Sequence, residues 1–239
     1  MRGKFSPVRA LVFDVFGTVV DWRGSIIREV RSLAREKKLD LDPAAFADAW
    51  RDGYQPAMAR VRSGDLGWTK IDALHRMILD DLLERFKVRG LKAPEIESLN
   101  RIWHRLSPWP DARAGLKVLK KHRIIGTLSN GNVLLLANLA KFGGLPWDVI
   151  FSGENFHHYK PDPETYLGAC ELLSMKPAEV MMVAAHKNDL HAAKACGLRT
   201  AFVRRPLEHG PDVRQDLKAE RAFDINADDF LDLGRRLGP

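Results

Sequence analysis

The sequence contains few cysteines and no long hydrophobic run. Cys170 and Cys196 are the two cysteines among 239 residues, and neither has a C-x-x-C partner. This usage disfavours both a disulfide framework and a zinc site. No apolar run approaches the roughly 20 residues that cross a bilayer, and no small-residue cleavage site follows the basic opening MRGKFSPVRA. We therefore expect reduced thiols in a soluble, cytoplasmic protein with no membrane partner.

The chain also lacks the short motifs that mark nucleotide and nucleic-acid binding. The patterns G-x-G-x-x-G, G-x-x-x-x-G-K-[ST] and G-x-S-x-G do not occur. The formal net charge is +7, but the basic residues are scattered along the chain. We interpret them as a solvated basic surface and expect no nucleic-acid partner. A positive field of this kind favours a small anionic substrate.

Short apolar runs alternate with amphipathic helical patterns along most of the chain. The runs that predict strands lie at residues 9–16, 123–129, 148–153, 180–185 and 199–204. The patterns that predict helices lie at residues 111–122, 133–143, 163–175 and 189–198. This alternation predicts an α/β fold, with a doubly wound parallel, Rossmann-like sheet and helices on both of its faces.

Residues 20–108 differ from the rest because they carry helical patterns and no convincing strand. One helical segment, DPAAFADAWRDGY, begins with Asp42 as a plausible N-cap and Pro43 at the first helical position. Aromatic residues four apart give this segment one apolar face: Phe46, Trp50 and Tyr54. We predict a helical cap domain at 20–108, inserted into a core domain of residues 1–19 and 109–239.

Polar clusters follow four of the predicted strands. They are Asp14-Val-Phe-Gly-Thr18, Ser129-Asn130-Gly131, Lys160-Pro-Asp-Pro163 and His186-Lys-Asn-Asp189. Taken singly, such a cluster is equally typical of a helix start or a loop. In a doubly wound sheet, however, the carboxyl ends of the strands meet at one crevice. We therefore expect the four clusters to form one site.

The motifs F-D-V-F-G-T-V, L-S-N-G, Y-K-P-D-P and the final D-L resemble those of the haloacid dehalogenase superfamily. Its phosphatases use D-x-D-G-T and a Gly-Asp pair, whose carboxylates act as acid/base and metal ligand. Here Phe16 stands in place of the second Asp of D-x-D-G-T, the acid/base, and Ala184-Ala185 stands in place of the Gly-Asp pair, whose Asp holds the metal. Both losses fit a substrate that needs neither group. The run D-V-F-G-T-V-V-D-W is similar to the L-2-haloacid dehalogenase branch, so the resemblance implies no metal and no cofactor.

The resemblance implies a role for each motif. Asp14 is the expected nucleophile, which attacks C2 of a small 2-halo acid and forms an ester that water then cleaves. Lys160 holds Asp14 ionised, Thr18 offers a hydroxyl within its reach, and Asp189 orients or activates the hydrolytic water. The residues expected to contact the substrate carboxylate and halide are Ser129 and Asn130.

Other residues carry alternative interpretations. Arg51 stands where the family places its halide-binding arginine. The alternative is an exposed arginine on a helix surface. Arg60 and Arg62 are the next candidates for the halide-binding role. Phe16 either excludes water from the site or packs in the core. Tyr166 matches a family tyrosine near the active site, and a core role fits it nearly as well.

His186 and Asn188 depart from the better-known dehalogenases, which carry asparagine and an aromatic residue at these positions. We hypothesise that they make the leaving-group pocket smaller and richer in hydrogen-bond donors, as fluoride would favour. A structural hydrogen bond is the alternative for His186.

Three further expectations follow. The first alternative function is a phosphatase or phosphonatase on the same scaffold, and the second is a catalytically silent module that binds a small anion. The resemblance also implies a possible homodimer.

Overall fold

The computed structural model describes residues 8–238. Its strands are β1 (Ala10–Phe13), β2 (Val20–Asp21), β3 (Ser107–Pro108), β4 (Ile124–Ser129), β5 (Val149–Ser152), β6 (Val180–Ala184), β7 (Arg199–Val203) and β8 (Ile225–Ala227). Its α-helices are α1 (Trp22–Lys37), α2 (Pro43–Asp52), α3 (Tyr54–Arg62), α4 (Ile71–Arg85), α5 (Ala93–Asn100), α6 (Ala112–Lys120), α7 (Val133–Gly143), α8 (Gly153–Phe156), α9 (Pro163–Leu172), α10 (Lys187–Ala195) and α11 (Phe230–Leu237). Two short 3-10 helices occupy Arg101–His104 and Pro177–Glu179.

Six strands form one parallel sheet in the order β5-β4-β1-β6-β7-β8. β1 is central, because Phe13 pairs with Thr127 on one side and with Val183 on the other. On one side of β1 the strands follow as β4 and then β5, and on the other side as β6, β7 and β8. The direction in which successive strands are added therefore reverses at β1. Ligands bind at such a reversal, beyond the carboxyl ends of the strands. The predicted doubly wound α/β fold is confirmed.

The five predicted strands correspond to β1, β4, β5, β6 and β7, and the sixth, β8, was not predicted. β8 has three residues and lies among acidic side chains, so it lacks the apolar run that marks a strand in sequence. It forms because β7 offers it a parallel edge.

Side chains of β1 alternate between the two faces of the sheet. Leu11 and Phe13 pack into the larger cluster, where the ring of Phe13 meets that of Phe230 on α11 edge to face at 5.3 Å. Val12 packs on the opposite face with Tyr166 of α9. Each such side chain contributes about 1.5–3 kcal/mol on full burial. Burial on both faces explains why β1 is apolar up to the residue before Asp14.

The helices α1 to α5 lie between β2 and β3, which pair antiparallel as a two-stranded ribbon. The expectation of no strand within 20–108 was therefore wrong at both ends of the segment. Asp42 caps α2 as predicted, since its side chain accepts from the backbone N–H groups of Ala44 and Ala45. The helix ends at Asp52 rather than continuing, so Tyr54 begins α3.

The aromatic face of this segment is buried although it spans two helices, since its three members are at most 4% exposed: Phe46, Trp50 and Tyr54.

Cys170 and Cys196 are both free thiols. Within residues 8–238, none of the helices combines the length and apolar character needed to cross a bilayer.

Candidate active site

Asp14 directly follows β1 at the carboxyl edge of the sheet, and its carboxylate is held by three side chains. Lys160 Nζ donates to Oδ1 at 3.0 Å. The Thr18 hydroxyl donates to Oδ2 at 2.7 Å, and Nδ1 of His186 lies 3.0 Å from the same oxygen. The backbone N–H of Asp14 donates to the carbonyl of Val183 on β6, which fixes the main chain at this point. The carboxylate is therefore held in one orientation at the sheet's reversal.

Lys160 links Asp14 to a second buried carboxylate. Its Nζ lies 2.5 Å from Oδ2 of Asp189, at the start of α10, and the Tyr166 hydroxyl donates to the other oxygen of Asp189 at 2.6 Å. The backbone of Lys160 is held by the amide of Asn130, which accepts from its N–H at 2.7 Å and donates to its carbonyl at 3.3 Å. Asn130 thus positions the lysine.

These contacts set the ionisation of the site. Burial by itself raises the pKa of Asp14, but the charges of Lys160 and His186 outweigh burial and hold that pKa well below its usual range. Burial lowers the pKa of Lys160, and the two carboxylates beside it reverse this and raise it. Burial raises the pKa of Asp189, and the charge of Lys160 offsets only part of this, so the pKa stays above its ordinary value. Asp14 is therefore an ionised, desolvated carboxylate, as a nucleophile requires.

A residue that the motifs did not indicate lies behind His186. Glu208, on the segment after β7, has Oε1 2.9 Å from Nε2 of His186 and is 2% exposed. Burial lowers the pKa of His186, but Glu208 and Asp14 outweigh it and raise the pKa to about 10. The segment around Glu208, RPLEHG, carries no pattern that sequence reasoning would have selected.

A cavity of about 120 Å³ opens in front of Asp14, the volume of roughly four water molecules. Its lining comes from both the sheet edge and the cap: Asp14, Phe16, Arg51, Tyr54, Gln55, Asn130, Lys160, Pro161, Tyr166, His186, Asn188 and Asp189. A space of this size suits an acid of two or three carbons.

Arg51 on α2 provides a positive charge in the cavity wall. Its guanidinium lies over the rings of Tyr54, 4.6 Å from the centroid, and of Trp22, at 5.5 Å. Among the residues that the structure describes, its buried Nη1 has no hydrogen-bond partner. A buried guanidinium nitrogen without a partner is costly, so this nitrogen is suited to an anion in the cavity.

Tyr54 and Gln55 also line the cavity from the cap, and aromatic rings pack around Phe16. Phe16 meets the rings of Tyr54 at 6.3 Å and Trp103 at 5.5 Å, both edge to face. His75 stacks on Trp103 at 4.1 Å, and burial lowers its pKa to about 3, so it is neutral. These apolar rings exclude water from the side of the site that they fill, which strengthens the electrostatic interactions next to them.

Nine of the eleven predicted site residues line the cavity, and Thr18 and Ser129 do not. Thr18 contacts Asp14 from behind, whereas the Ser129 hydroxyl accepts from the backbone N–H of Gly131. The two substitutes for Arg51 lie elsewhere: Arg62 pairs with Asp162, and Arg60 lies in another groove of the cap. Both ring nitrogens of His186 are engaged, by Asp14 and Glu208, which favours the structural hydrogen bond over a contact with halide.

The residues present do not fit a divalent cation. Within residues 8–238, no group of three His, Cys, Asp or Glu side chains is arranged to hold one. At the position of the phosphatases' metal carboxylate, Ala185 contributes only a backbone N–H, which donates to the Thr18 hydroxyl at 2.9 Å. The ammonium of Lys160 lies between the carboxylates of Asp14 and Asp189.

Known proteins are similar to this chain in sequence and fold. The chain matches the family of haloacid dehalogenase-like hydrolases over residues 8–197. The crystal structure of the L-2-haloacid dehalogenase PA0810 has a TM-score of 0.92 and 48% identity, over 97% of this chain and 100% of that one. The structure of the defluorinating L-2-haloacid dehalogenase Rha0230 has a TM-score of 0.94 and 46% identity, over 96% and 95%.

Curated relatives are more distant in sequence. (S)-2-haloacid dehalogenase 1 of Pseudomonas sp. (strain CBS-3) is 29% identical over 218 residues, which cover 83% of this chain and 86% of that protein. Phosphoglycolate phosphatases are also among these relatives. Because the family match spans most of the chain, and two solved structures share nearly half of its residues over nearly its whole length, this chain belongs to the haloacid dehalogenase-like hydrolases.

Proposed function

We propose that this protein hydrolyses small 2-halo carboxylic acids to 2-hydroxy acids, with Asp14 as the nucleophile. One observation carries the proposal: the ionised carboxylate of Asp14 shares a small cavity with the guanidinium of Arg51, whose buried Nη1 has no hydrogen-bond partner within residues 8–238. The similarity to L-2-haloacid dehalogenases of 48% and 46% identity supports it. The arrangement provides a nucleophile for C2 and a cation for the substrate's carboxylate or its departing halide.

In the first step, an oxygen of Asp14 attacks C2 of the substrate, the carbon–halogen bond breaks, and halide leaves with the bonding electrons. The cavity places a 2-halo acid beside the carboxylate of Asp14, with the guanidinium of Arg51 in the same lining to orient it. Phe16 and its aromatic neighbours keep water from competing with Asp14.

In the second step, water attacks the carboxyl carbon of the Asp14 ester and releases the 2-hydroxy acid. Asp189 is suited to receive the water proton, because burial raises its pKa. Lys160 contacts both carboxylates and is suited to protonate the departing oxygen.

We also propose that fluoroacetate is a substrate. The small cavity, the polar Asn188 in its lining and the 46% identity to a defluorinating enzyme support this. Fluoride is small and binds strongly to hydrogen-bond donors. The measurement is release of fluoride from fluoroacetate beside release of chloride from chloroacetate, and absence of detectable fluoride would overturn this part of the proposal.

The phosphatase alternative is less consistent with the site. Phe16 offers no proton to a leaving oxygen, and Ala185 offers no carboxylate to a metal ion. Mg²⁺-dependent turnover of a generic phosphate ester would favour it. A silent binding module would show no turnover of any 2-halo acid and no effect of Asp14→Asn.

The decisive test is a single turnover of chloroacetate in ¹⁸O-water, followed by mass analysis of the peptide that contains Asp14. Hydrolysis of an ester at its carboxyl carbon puts ¹⁸O into Asp14, whereas direct attack of water on the substrate puts it into the product. Asp14→Asn is the matched control and should neither release halide nor take up label. Unlabelled Asp14 in an active enzyme would refute the nucleophile assignment.

Three expectations from the sequence accompany this proposal as predictions. They are the division into a core of residues 1–19 and 109–239 and a cap of 20–108, a homodimer, and a cytoplasmic location, which the two free thiols favour.

A further inference from the structure

Glu208 is a buried carboxylate outside the strand-end motifs, and it lies against the site. Its Oε1 is 2.9 Å from Nε2 of His186, and the indole N–H of Trp22 donates to the same oxygen at 3.2 Å. Only 2% of the residue is exposed. A carboxylate withdrawn from water in this way requires donors and a positive charge in place of the water. His186 is suited to supply both.

The segment that carries Glu208 packs against the loop that follows Asp14. Arg205 donates from Nε to the carbonyl of Thr18 at 2.8 Å and forms a bidentate pair with Asp111 at 2.7 and 3.0 Å. Gly17 has φ of +83°, and a Cβ there would lie 2.0 Å from Oε1 of Glu208. A glycine three residues after Asp14 therefore leaves the room that the Glu208 carboxylate occupies.

Two carboxylates face the two ring nitrogens of His186. Nδ1 is 3.0 Å from Oδ2 of Asp14, and Nε2 is 2.9 Å from Oε1 of Glu208. An ionised carboxylate only accepts hydrogen bonds, and a neutral imidazole has a single N–H. Both contacts are therefore satisfied only when His186 is an imidazolium with an N–H on each nitrogen.

Further charged groups lie near His186 and Glu208. Lys160, Asp189 and Arg51 line the same cavity as His186, and Nε2 of His209 lies 3.9 Å from Oε1 of Glu208. Burial opposes the charge on His186, yet the two carboxylates raise its pKa to about 10, in agreement with the geometry.

The two oxygens of Asp14 differ in their surroundings. Oδ1 accepts a hydrogen bond from the ammonium of Lys160, whereas Oδ2 accepts hydrogen bonds from the Thr18 hydroxyl and from Nδ1 of His186. When Oδ1 forms the bond to C2, Oδ2 remains as the carbonyl oxygen of the ester. It then becomes negative when water adds to the carboxyl carbon. Donors placed in advance on such an oxygen stabilise the transition state.

We propose that Glu208 is a positioning residue for the hydrolytic half of the reaction, holding His186 so that its Nδ1–H stabilises the charge that forms on Oδ2 of Asp14. This inference rests on the proposed Asp14 ester. His186 and the Thr18 hydroxyl together form the oxyanion site, and Glu208 supplies the negative charge that keeps His186 protonated and correctly turned.

Ester hydrolysis moves protons through Asp189 and Lys160. Water forms a bond to the carboxyl carbon and gives a proton to Asp189, while the carbonyl electron pair moves onto Oδ2. The pair returns, the bond from this carbon to Oδ1 breaks, and Oδ1 leaves as the product hydroxyl with a proton from Lys160. The new carboxyl group of Asp14 returns a proton to Lys160, and Asp189 loses its proton to solvent.

The test is Glu208→Gln, which keeps the shape of the side chain and removes its charge. Rapid-quench measurements with chloroacetate separate halide release in the first turnover from loss of the Asp14 ester, which is followed by peptide mass. We expect halide release within about threefold of wild type and ester hydrolysis slower by about 10- to 100-fold, so that ester accumulates. Hydrolysis by the variant should also fall above about pH 7, where an unsupported histidine loses its proton. In the ester Asp14 carries no charge, so Glu208 alone should keep His186 protonated, and the wild-type rate should stay level beyond the pH at which the variant's rate falls.

Asp111→Asn is the matched control, because it loosens Arg205 on the same segment and leaves the charge of Glu208 in place. It should keep the wild-type pH profile, and Glu208→Asp should restore much of that profile. If Glu208→Gln slows both half-reactions equally with an unchanged pH profile, the role of Glu208 is structural and the inference is overturned.

A measurement on the wild type keeps the inference testable if the Glu208→Gln variant does not fold. ¹⁵N NMR of the His186 ring at pH 8 should show both nitrogens protonated, and a single unprotonated nitrogen would overturn the inference. Failure of the proposed function is a separate result, seen as wild-type protein that forms no ester with any 2-halo acid.

Discussion

Replacing Lys160 with methionine is the sharpest perturbation of the charges around Asp14. Its ammonium lies 3.0 Å from Asp14 and 2.5 Å from Asp189, and all three side chains are at most 10% exposed. Removing one partner of a buried ion pair costs about 3–5 kcal/mol. For a chain of this length, 1 kcal/mol corresponds to roughly 2–4 °C in Tm. We therefore expect Tm to fall by about 6–20 °C at pH 8.

The loss should depend on pH in a definite direction. In the wild type the pKa of Asp14 is depressed, so its contribution to stability is fully present above the unfolded value of about 3.9 and is lost as pH falls from there through the lower folded value. Without Lys160, the folded pKa of Asp189 rises further, because burial and the charge of Asp14 raise it and the opposing charge of Lys160 is gone. Asp14 keeps His186 and Thr18. Lowering the pH then protonates Asp189 and relieves the penalty, so the Tm difference from wild type should shrink from pH 8 to pH 5.

Thermal unfolding followed by far-UV circular dichroism at the two pH values measures this. The double variant Lys160→Met/Asp189→Asn should recover part of the loss at pH 8, because it removes one of the two carboxylates. Lys70→Met is a surface control, since Lys70 pairs with Glu154 from a largely exposed position and exposed pairs contribute at most about 1 kcal/mol. An equal loss of Tm at both pH values, or no recovery in the double variant, would refute the charge argument.

Three further predictions test separate parts of the site. Arg51→Met should raise KM for chloroacetate by about 10- to 100-fold, because a charged hydrogen bond to an anion is worth roughly 1.5–3 kcal/mol; an unchanged KM in steady-state halide release would remove Arg51 from substrate binding. Gly17→Ala should lower Tm more than Gly64→Ala, because both glycines have positive φ, +83° and +86°, but a Cβ only at Gly17 meets Glu208; equal losses would show that backbone conformation alone matters. The pKa of His186 is raised to about 10 from an unfolded value of about 6.5, so its contribution to stability is complete below pH 6.5 and is lost as pH rises through 10. Urea unfolding should show the wild type losing at most about 1.4 kcal/mol per pH unit across that window, and a His186→Gln variant with the same decline would contradict this assignment.

Local patterns in the sequence were sufficient for the fold class and for the position of Asp14. A strand buried on both faces is apolar along its length, so β1 and β6 are visible as continuous apolar runs, and the polar clusters after them mark the carboxyl edge. The family followed from motifs that are short and contiguous. The roles of the site residues stay predictions until the variants are measured.

Contacts between distant segments were not visible in the sequence, and only the tertiary structure decided them. β8 exists because β7 offers it an edge, and Glu208 reaches His186 because Arg205 ties its segment to the loop of the nucleophile. The charge of His186 is set by two carboxylates from opposite sides, one 172 residues earlier in the chain and one 22 residues later. Periodicity and motifs report what each segment prefers by itself, whereas ionisation and hydrogen-bond partners depend on which segments packing brings together.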